Sequence, residues 1–364
     1  IREKGIRVIS EIEFAYRYKG SSKIIGITGS NGKTTTASLI HHIFKHAGMD
    51  CALVGNIGFS FARQVKEDPK VWYIAEISSF QLDDIHEFKP DFSILTNITE
   101  DHLDRYEYKF GNYINSKFRI AMNQNYDDYF IYCEDDPVIM QYLNEKPFKT
   151  NQVPFTMQRE VNPGAFIMNG QMTVRTGDEK MQMSIYDFAL KGKHNQYNTM
   201  AACLAPAIIG LRKSKIREAV QSFESIAHRM EFVVTIRGVD FINDSKATNV
   251  NSTWYALETM NKPTILILGG IDKGNDYTML NELVKEKVKA IICLGLENDR
   301  IHEAFKDDVS MIVDAKSADE TVKAAFRLAS PGDAILLSPA CASFDLFNNY
   351  EDRGDQFKKA VREL

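Results

Sequence analysis

The sequence predicts an α/β fold: a parallel-sheet domain carrying a small antiparallel patch, followed by a second, Rossmann-like α/β domain. Three observations predict it. Short apolar runs alternate with helical periodicity over most of the 364 residues. One stretch, 150–190, switches to alternating polar and apolar residues. A second set of apolar runs, each closed by a polar or glycine-rich turn, begins near His228. Apolar runs separated by helices indicate parallel strands buried on both faces, whereas strict alternation indicates a half-exposed antiparallel strand.

In chain order, Gly5-Ile-Arg-Val-Ile9 reads as strand-like, and Lys23-Ile-Ile-Gly-Ile27 as a buried strand. A helix follows, with Ala37, Ile40, Ile43, Phe44 and Ala47 on one face and Gly48 at its C-terminal cap. Ala52–Val54, Val71–Ala75 and Phe92–Leu95 are further strands, and Tyr113, Ile114, Lys117, Phe118 and Ala121 mark a helix. Gln171–Arg175 and Met181–Tyr186 form the antiparallel patch, and helices return at 195–209 and 214–226. In the second domain Val239–Ile242, Thr264–Leu268, Ala290–Leu294 and Ala334–Leu337 are the expected strands. The expected boundaries are 1–11, the exit of a preceding domain; 12–225; and 226–364. No repeat or low-complexity segment interrupts them.

Net charge is −5 and no Lys/Arg block occurs, which argues against non-specific nucleic-acid binding. Cys51, Cys133, Cys203, Cys293 and Cys341 are scattered without a CxxC pair, the pattern of reduced thiols in a cytoplasmic protein. No apolar run approaches the ~18 residues of a membrane span. The expected partners are therefore small molecules, with no membrane insertion, and the expected state is a monomer.

The chemistry concentrates in Gly26-Ile-Thr-Gly-Ser-Asn-Gly-Lys-Thr34. Glycines let the backbone turn tightly and present N–H groups to an anion. Lys33 supplies a point charge for phosphates and the Thr34 hydroxyl suits Mg²⁺. Phosphate then lies at a helix N-terminus, where unpaired N–H groups and the dipole favour negative charge. Ile27 stands where the general GxxxxGK[ST] pattern has glycine, so the loop is a variant. Lys33-Thr34 also sets it apart from the G-x-G-x-x-G loop of hydride-transfer enzymes.

Other polar residues are less specific alone. Glu76 ends a buried run, a place for a metal-directed acid or for a solvated strand-end carboxylate. His102 lies in Thr99-Glu-Asp-His-Leu-Asp-Arg-Tyr106, as a ligand or as a plain surface residue. Lys117 sits on an apolar helix face, where it must snorkel or change its charge. Arg229, Asp244, Lys246, Thr248 and Lys273 gather at expected strand ends of the second domain, where ligands of open α/β sheets bind.

Eight motifs in order resemble the Mur ligase family, from about residue 12 onward. They are Thr28–Thr34, Gly55-Asn-Ile-Gly58, Glu76-Ile-Ser-Ser-Phe-Gln81, Thr99-Glu-Asp-His102, Gly192-Lys-His-Asn195, His228-Arg229, Asn243-Asp-Ser-Lys-Ala-Thr-Asn249 and Ser338-Pro-Ala-Cys-Ala-Ser-Phe-Asp345. The last two resemble the D-glutamate-adding branch. The resemblance implies a cytoplasmic ATP-dependent amide ligase of peptidoglycan precursor synthesis, joining D-glutamate to UDP-N-acetylmuramoyl-L-alanine through an acyl phosphate. Other Mur-type or folylpolyglutamate-type ligases, and a P-loop module that binds nucleotide without ligation, are the alternatives.

By position the resemblance places ATP at Gly29, Ser30, Asn31, Gly32, Lys33, Thr34, Thr35, Asn195, Asn198, Arg229 and Asp244. Two Mg²⁺ ions would be held by Thr34, Glu76, His102 and a carbamylated Lys117. Lys33, His102 and Lys117 are the catalytic candidates. Asn56, Ser78 and His102 would face the muramoyl-alanine end. Lys246, Thr248, Lys273, Ser343, Phe344 and Tyr350 would line the D-glutamate pocket, Tyr350 standing where the family has phenylalanine. It further implies a uridine-diphosphate-binding domain before residue 12, and weak or no ligation without one.

Overall fold

The structure, a computed structural model, describes residues 7–101, 103–223 and 227–364. The chain forms two compact units that divide between Glu224 and Ser225.

The first unit is built on a nine-stranded sheet. Its strands are β1 (Lys23–Thr28), β2 (Cys51–Gly55), β3 (Trp72–Glu76), β4 (Phe92–Leu95), β5 (Tyr129–Cys133), β6 (Asn151–Thr156), β7 (Gly164–Met168), β8 (Gln171–Thr176) and β9 (Glu179–Ser184). Its helices are α1 (Glu11–Tyr18), α2 (Lys33–His46), α3 (Phe61–Glu67), α4 (Ser79–Asp83), α5 (Phe110–Phe118), α6 (Pro137–Glu145), α7 (Lys193–Ile208) and α8 (Lys213–Ser222). The sheet order is β2-β3-β1-β4-β5-β6-β7-β8-β9. Pairing is parallel as far as β7, and β7-β8-β9 is the antiparallel patch. From β1 the chain runs to β2 and back to β3 on one side of β1, then crosses to β4 on the other. The loop after β1 therefore opens at the switch point of the sheet, where ligands of such sheets bind.

The second unit contains β10 (Glu231–Ile236), β11 (Val239–Asn243), β12 (Thr264–Gly269), β13 (Val288–Leu294), β14 (Ile312–Ala315) and β15 (Ala334–Ala340). Its helices are α9 (Val250–Thr259), α10 (Asn281–Lys287), α11 (Asp299–Phe305), α12 (Ala318–Leu328) and α13 (Tyr350–Arg362). The order is β10-β11-β15-β12-β13-β14, parallel except for the β10–β11 hairpin. Successive side chains of each central strand enter opposite cores. Leu266, Leu268, Ile291 and Cys293 pack on one face, and Ile265, Ile267, Ala290 and Ile292 on the other. Burial on both faces is what makes these segments continuously apolar in sequence.

The structure corrects several expectations. Gly5–Ile9 yields no strand in its described part; Ser10 instead caps α1 by accepting from the Glu13 amide at 3.3 Å. The strand expected at Met181–Tyr186 ends at Ser184, because residues 185–187 form a short 3₁₀ turn. The helix expected over 214–226 is α8, ending at Ser222, and residues 224–226 lie outside the described residues. Strands β5, β6, β7, β10 and β14 were not anticipated. Gly48, at φ +75°, closes α2: its amide bonds to Lys45 and that of Met49 to Phe44, the paired bonds of a glycine C-cap.

Candidate active site

Ile27 is the first point at which this glycine-rich loop departs from the general pattern, and the sheet accounts for it. Ile27 is still inside β1, fully buried and in register with Glu76 on β3 and Ile94 on β4. The turn falls to Gly29 and Gly32, at φ +144° and +83°. A Cβ at Gly29 would sit 2.0 Å from Thr96 Oγ1, and one at Gly32 would sit 2.2 Å from Asn198 Oδ1. Only glycine meets both the conformation and the contact.

The loop is fixed from three sides. Thr96 and Asn97, just past β4, donate to the Asn31 carbonyl at 2.6 and 3.0 Å. The Asn31 amide donates to Asn97 Oδ1 at 2.9 Å, and the Ser30 hydroxyl meets Tyr113 OH at 3.0 Å and donates to the Thr99 carbonyl at 2.8 Å. From α7, Asn198 Oδ1 accepts from Thr36 at 3.5 Å, and Asn198 Nδ2 donates to Asn195 Oδ1 at 3.2 Å. Asn195 and Asn198, distant in sequence, thus stand beside the loop. Thr34 and Thr35, buried at the first turn of α2, complete it.

Two ammonium groups converge here. Lys33 Nζ donates to the carbonyls of Gly29 and Ser30, both at 2.8 Å. Lys117 Nζ donates to the same Gly29 carbonyl at 2.9 Å and to Thr28 Oγ1 at 3.4 Å, and lies 5.2 Å from the centroid of the Tyr113 ring. Snorkelling does not describe Lys117, which is 2% exposed. Burial, with the Lys33 charge adding to it, holds its ammonium pKa well below the usual lysine value.

Glu76 is 1% exposed at the end of β3. Its Oε1 accepts from Asn56 Nδ2 at 2.8 Å, while its Oε2 is buried with no hydrogen-bond partner. A buried carboxylate oxygen without a hydrogen-bond partner fits a hard divalent cation. Ser78 is engaged locally, capping α4 in a reciprocal box with Gln81. His102 lies outside the described residues.

In the second unit the strand-end candidates gather around a buried cation that sequence reasoning missed. Arg353 is 1% exposed. It donates to Ser245 Oγ at 2.9 Å and the Ser245 carbonyl at 2.8 Å, and to the carbonyls of Cys341 and Gly269 at 3.2 and 3.4 Å. It therefore ties the ends of β11, β12 and β15 together. Its position four residues before Phe357, on the apolar face of α13, was the available signal.

Around it, Asp244 accepts from the Met230 amide at 3.1 Å and Ser338 Oγ at 2.9 Å. Burial pushes its carboxyl up to about 7, with Arg229 opposing. Lys246 Nζ lies 5.3 Å from the centroid of the Tyr350 ring, and the Lys246 amide bonds to the His228 carbonyl at 3.0 Å. Thr248 is half-buried two residues on. Lys273 is exposed on a loop that its neighbour Asp272 clamps: Asp272 accepts from the amides of Gly274 and Asn275 at 2.7 and 2.8 Å and from Arg300 at 2.7 Å. Ser343 is buried, whereas Phe344 projects into solvent at 68% exposure.

Known protein families match most of the chain. Residues 27–206 match the Mur ligase middle domain and residues 228–341 match the Mur ligase, glutamate ligase domain. The chain belongs to the Mur ligase family. A Christiangramia forsetii protein named UDP-N-acetylmuramoylalanine--D-glutamate ligase is 52% identical over 364 residues, covering 100% of this chain and 82% of that protein. A Bacteroides fragilis protein of the same name is 50% identical over 365 residues, again with 100% and 82% covered. Among solved structures, a pseudomurein peptide ligase type C from Methanothermus fervidus superposes with a TM-score of 0.70 at 18% identity, covering 97% of this chain and 81% of that one. A Thermotoga maritima MurF ligase gives 0.69 at 14% identity, covering 97% and 84%. At these identities the solved Mur ligases establish the fold alone. No described helix is long and apolar enough to cross a membrane.

Asp244 sets a pH dependence. Its folded carboxyl binds a proton between pH 3.8 and about 7, where the unfolded one does not, so its contribution to stability falls as pH rises through that window. Thermal unfolding followed across the window should show Asp244→Asn losing less stability than the parent as pH rises. Parallel profiles would contradict the assignment.

Proposed function

We propose that this chain is an ATP-dependent amide ligase that adds D-glutamate to UDP-N-acetylmuramoyl-L-alanine. The observation that carries the reading is identity of 50–52% across the whole chain to relatives bearing that name. The polar constellation around Gly29 supports it, because a carboxylate is a poor electrophile until one of its oxygens becomes a good leaving group. In this reading an oxygen of the alanine carboxylate attacks the γ-phosphorus and ADP departs. The D-glutamate amine then attacks the carbonyl carbon, loses a proton, and phosphate leaves as the amide forms. Such chemistry demands positioning and charge neutralisation more than a protein nucleophile.

Lys33 and the first turn of α2 would hold the β- and γ-phosphates. Asn195, Asn198, Arg229 and Asp244 would complete the ATP site, with Asp244 at the ribose. Thr34, Glu76, His102 and a carbamylated Lys117 would hold two Mg²⁺ ions. Bound there, the ions would offset the crowded charge of the phosphates and carboxylate. Carbamylation agrees with the burial of Lys117, which favours the neutral amine: the amine nitrogen adds to the carbon of carbon dioxide, one N–H proton passes to solvent, and a carbamate anion remains. Asn56, Ser78 and His102 would face the muramoyl-alanine end. Lys246, Thr248, Lys273, Ser343, Phe344 and Tyr350 would receive D-glutamate, the two lysines suiting its two carboxylates.

Two outcomes follow. Phosphate release from ATP with UDP-N-acetylmuramoyl-L-alanine should depend on D-glutamate; dependence on L-lysine, diaminopimelate or a folate acceptor would overturn the specificity. Loading with ¹³C-bicarbonate should give one carbamate carbon resonance that Lys117→Gln lacks. A resonance that survives the substitution would remove the modification from Lys117.

A further inference from the structure

The second unit carries a cluster of soft and hard donors on strands that the proposed amino-acid pocket does not use. Cys293 on β13 is in register with Asp314 on β14, so both project to the same face of the sheet. Helix α11 covers that face and brings His302 over them. His302 Nε2 lies 3.1 Å from Asp314 Oδ1, and the sulfur, the imidazole nitrogen and a carboxylate oxygen all lie within 4.8 Å of one another.

A further residue orients the set. Asn298 Nδ2 donates to Asp314 Oδ1 at 2.9 Å and to the Gly295 carbonyl at 3.2 Å, the kind of outer contact that fixes a metal-ligating carboxylate. Asn298 is 8% exposed, and its Oδ1 is buried without a partner.

We propose that Cys293, His302 and Asp314 bind a thiophilic divalent cation, zinc in class. The donors fix the class: Mg²⁺ and Ca²⁺ take oxygen ligands, whereas a thiol with an imidazole and a carboxylate suits zinc. Charge closes as well. On binding, the Cys293 S–H gives its proton to solvent, and thiolate plus carboxylate balance the dication while the imidazole stays neutral. Cys293 is fully buried, but the His302 and Asp314 side chains are 39% and 54% exposed. The ion therefore enters from the imidazole–carboxylate side, where water takes the fourth position. Bonds of about 2.0–2.3 Å place tetrahedral ligand atoms about 3.5 Å apart. The imidazole–carboxylate pair, at 3.1 Å, opens slightly, and separations of up to 4.8 Å within the set close by about 1 Å at most, a shift within reach of the half-exposed His302 side chain.

The ion would pin α11 to the sheet. Two residues before His302, Arg300 donates to Asp272 at 2.7 Å and to the Asn275 carbonyl at 2.9 Å, holding the loop that carries Lys273. The metal is thus a structural clamp beside that loop.

Cobalt tests this independently of ligase activity. After chelator treatment, the full chain titrated with Co²⁺ should develop a near-ultraviolet sulfur-to-cobalt charge-transfer band, saturating at one equivalent and displaced by Zn²⁺. Cys293→Ser should abolish the band, and His302→Gln should weaken binding at least about tenfold. His302 is half-exposed, so its substitution keeps the test sound if Cys293→Ser fails to fold. A cobalt spectrum without sulfur character, or a band that folded Cys293→Ser or His302→Gln retains at full affinity, would overturn the proposal.

Discussion

The carbonyl oxygen of Gly29 accepts from two lysines at once, and that shared contact constrains the first unit. Lys33 and Lys117 reach it at 2.8 and 2.9 Å, which places their nitrogens within about 6 Å of each other. Two full charges at that separation repel by roughly 3 kcal/mol at an effective dielectric constant of about 20. The buried member, Lys117, yields, its burial favouring the neutral amine. A polyanion, or conversion of Lys117 to an anion, relieves the conflict. The switch point after β1, the positive φ of Gly29 and Gly32, and the bolts from Thr96, Asn97 and Asn198 hold the two lysines in this uncomfortable pairing. Local strain of this kind persists only where surrounding structure over-determines it.

The second unit solves a related problem with one cation. Three parallel strands end side by side in carbonyls and turns. Arg353, buried among them, satisfies carbonyls of Ser245, Gly269 and Cys341. The helix that carries it begins at Tyr350, whose ring meets Lys246, so one helix reaches both the strand ends and the loop after β11.

The legible part of the chain was whatever follows from local pattern. The glycine-rich turn after β1 announced itself through glycine spacing, and the central strands through continuous apolar runs. Strand β10 was missed because half-exposed residues give it no clean period, and β14 because it is four residues long at the edge of its sheet. Asn97, Tyr113 and Arg353 were missed for another reason: their importance lies in long-range contacts that no short motif records. Lys117 was half-read. Its apolar helix face marked it as unusual, but only the fold shows the ammonium turned inward onto Gly29 instead of outward to water.

Oxygen-isotope transfer tests the central claim most directly, namely that the site phosphorylates a carboxylate. UDP-N-acetylmuramoyl-L-alanine labelled with ¹⁸O in its terminal carboxylate would be turned over with ATP and D-glutamate, and the released phosphate analysed by mass. One ¹⁸O atom from the carboxylate in each phosphate is the predicted result. Phosphate carrying no label would contradict it, since ATP would then be cleaved without passing through the acyl phosphate.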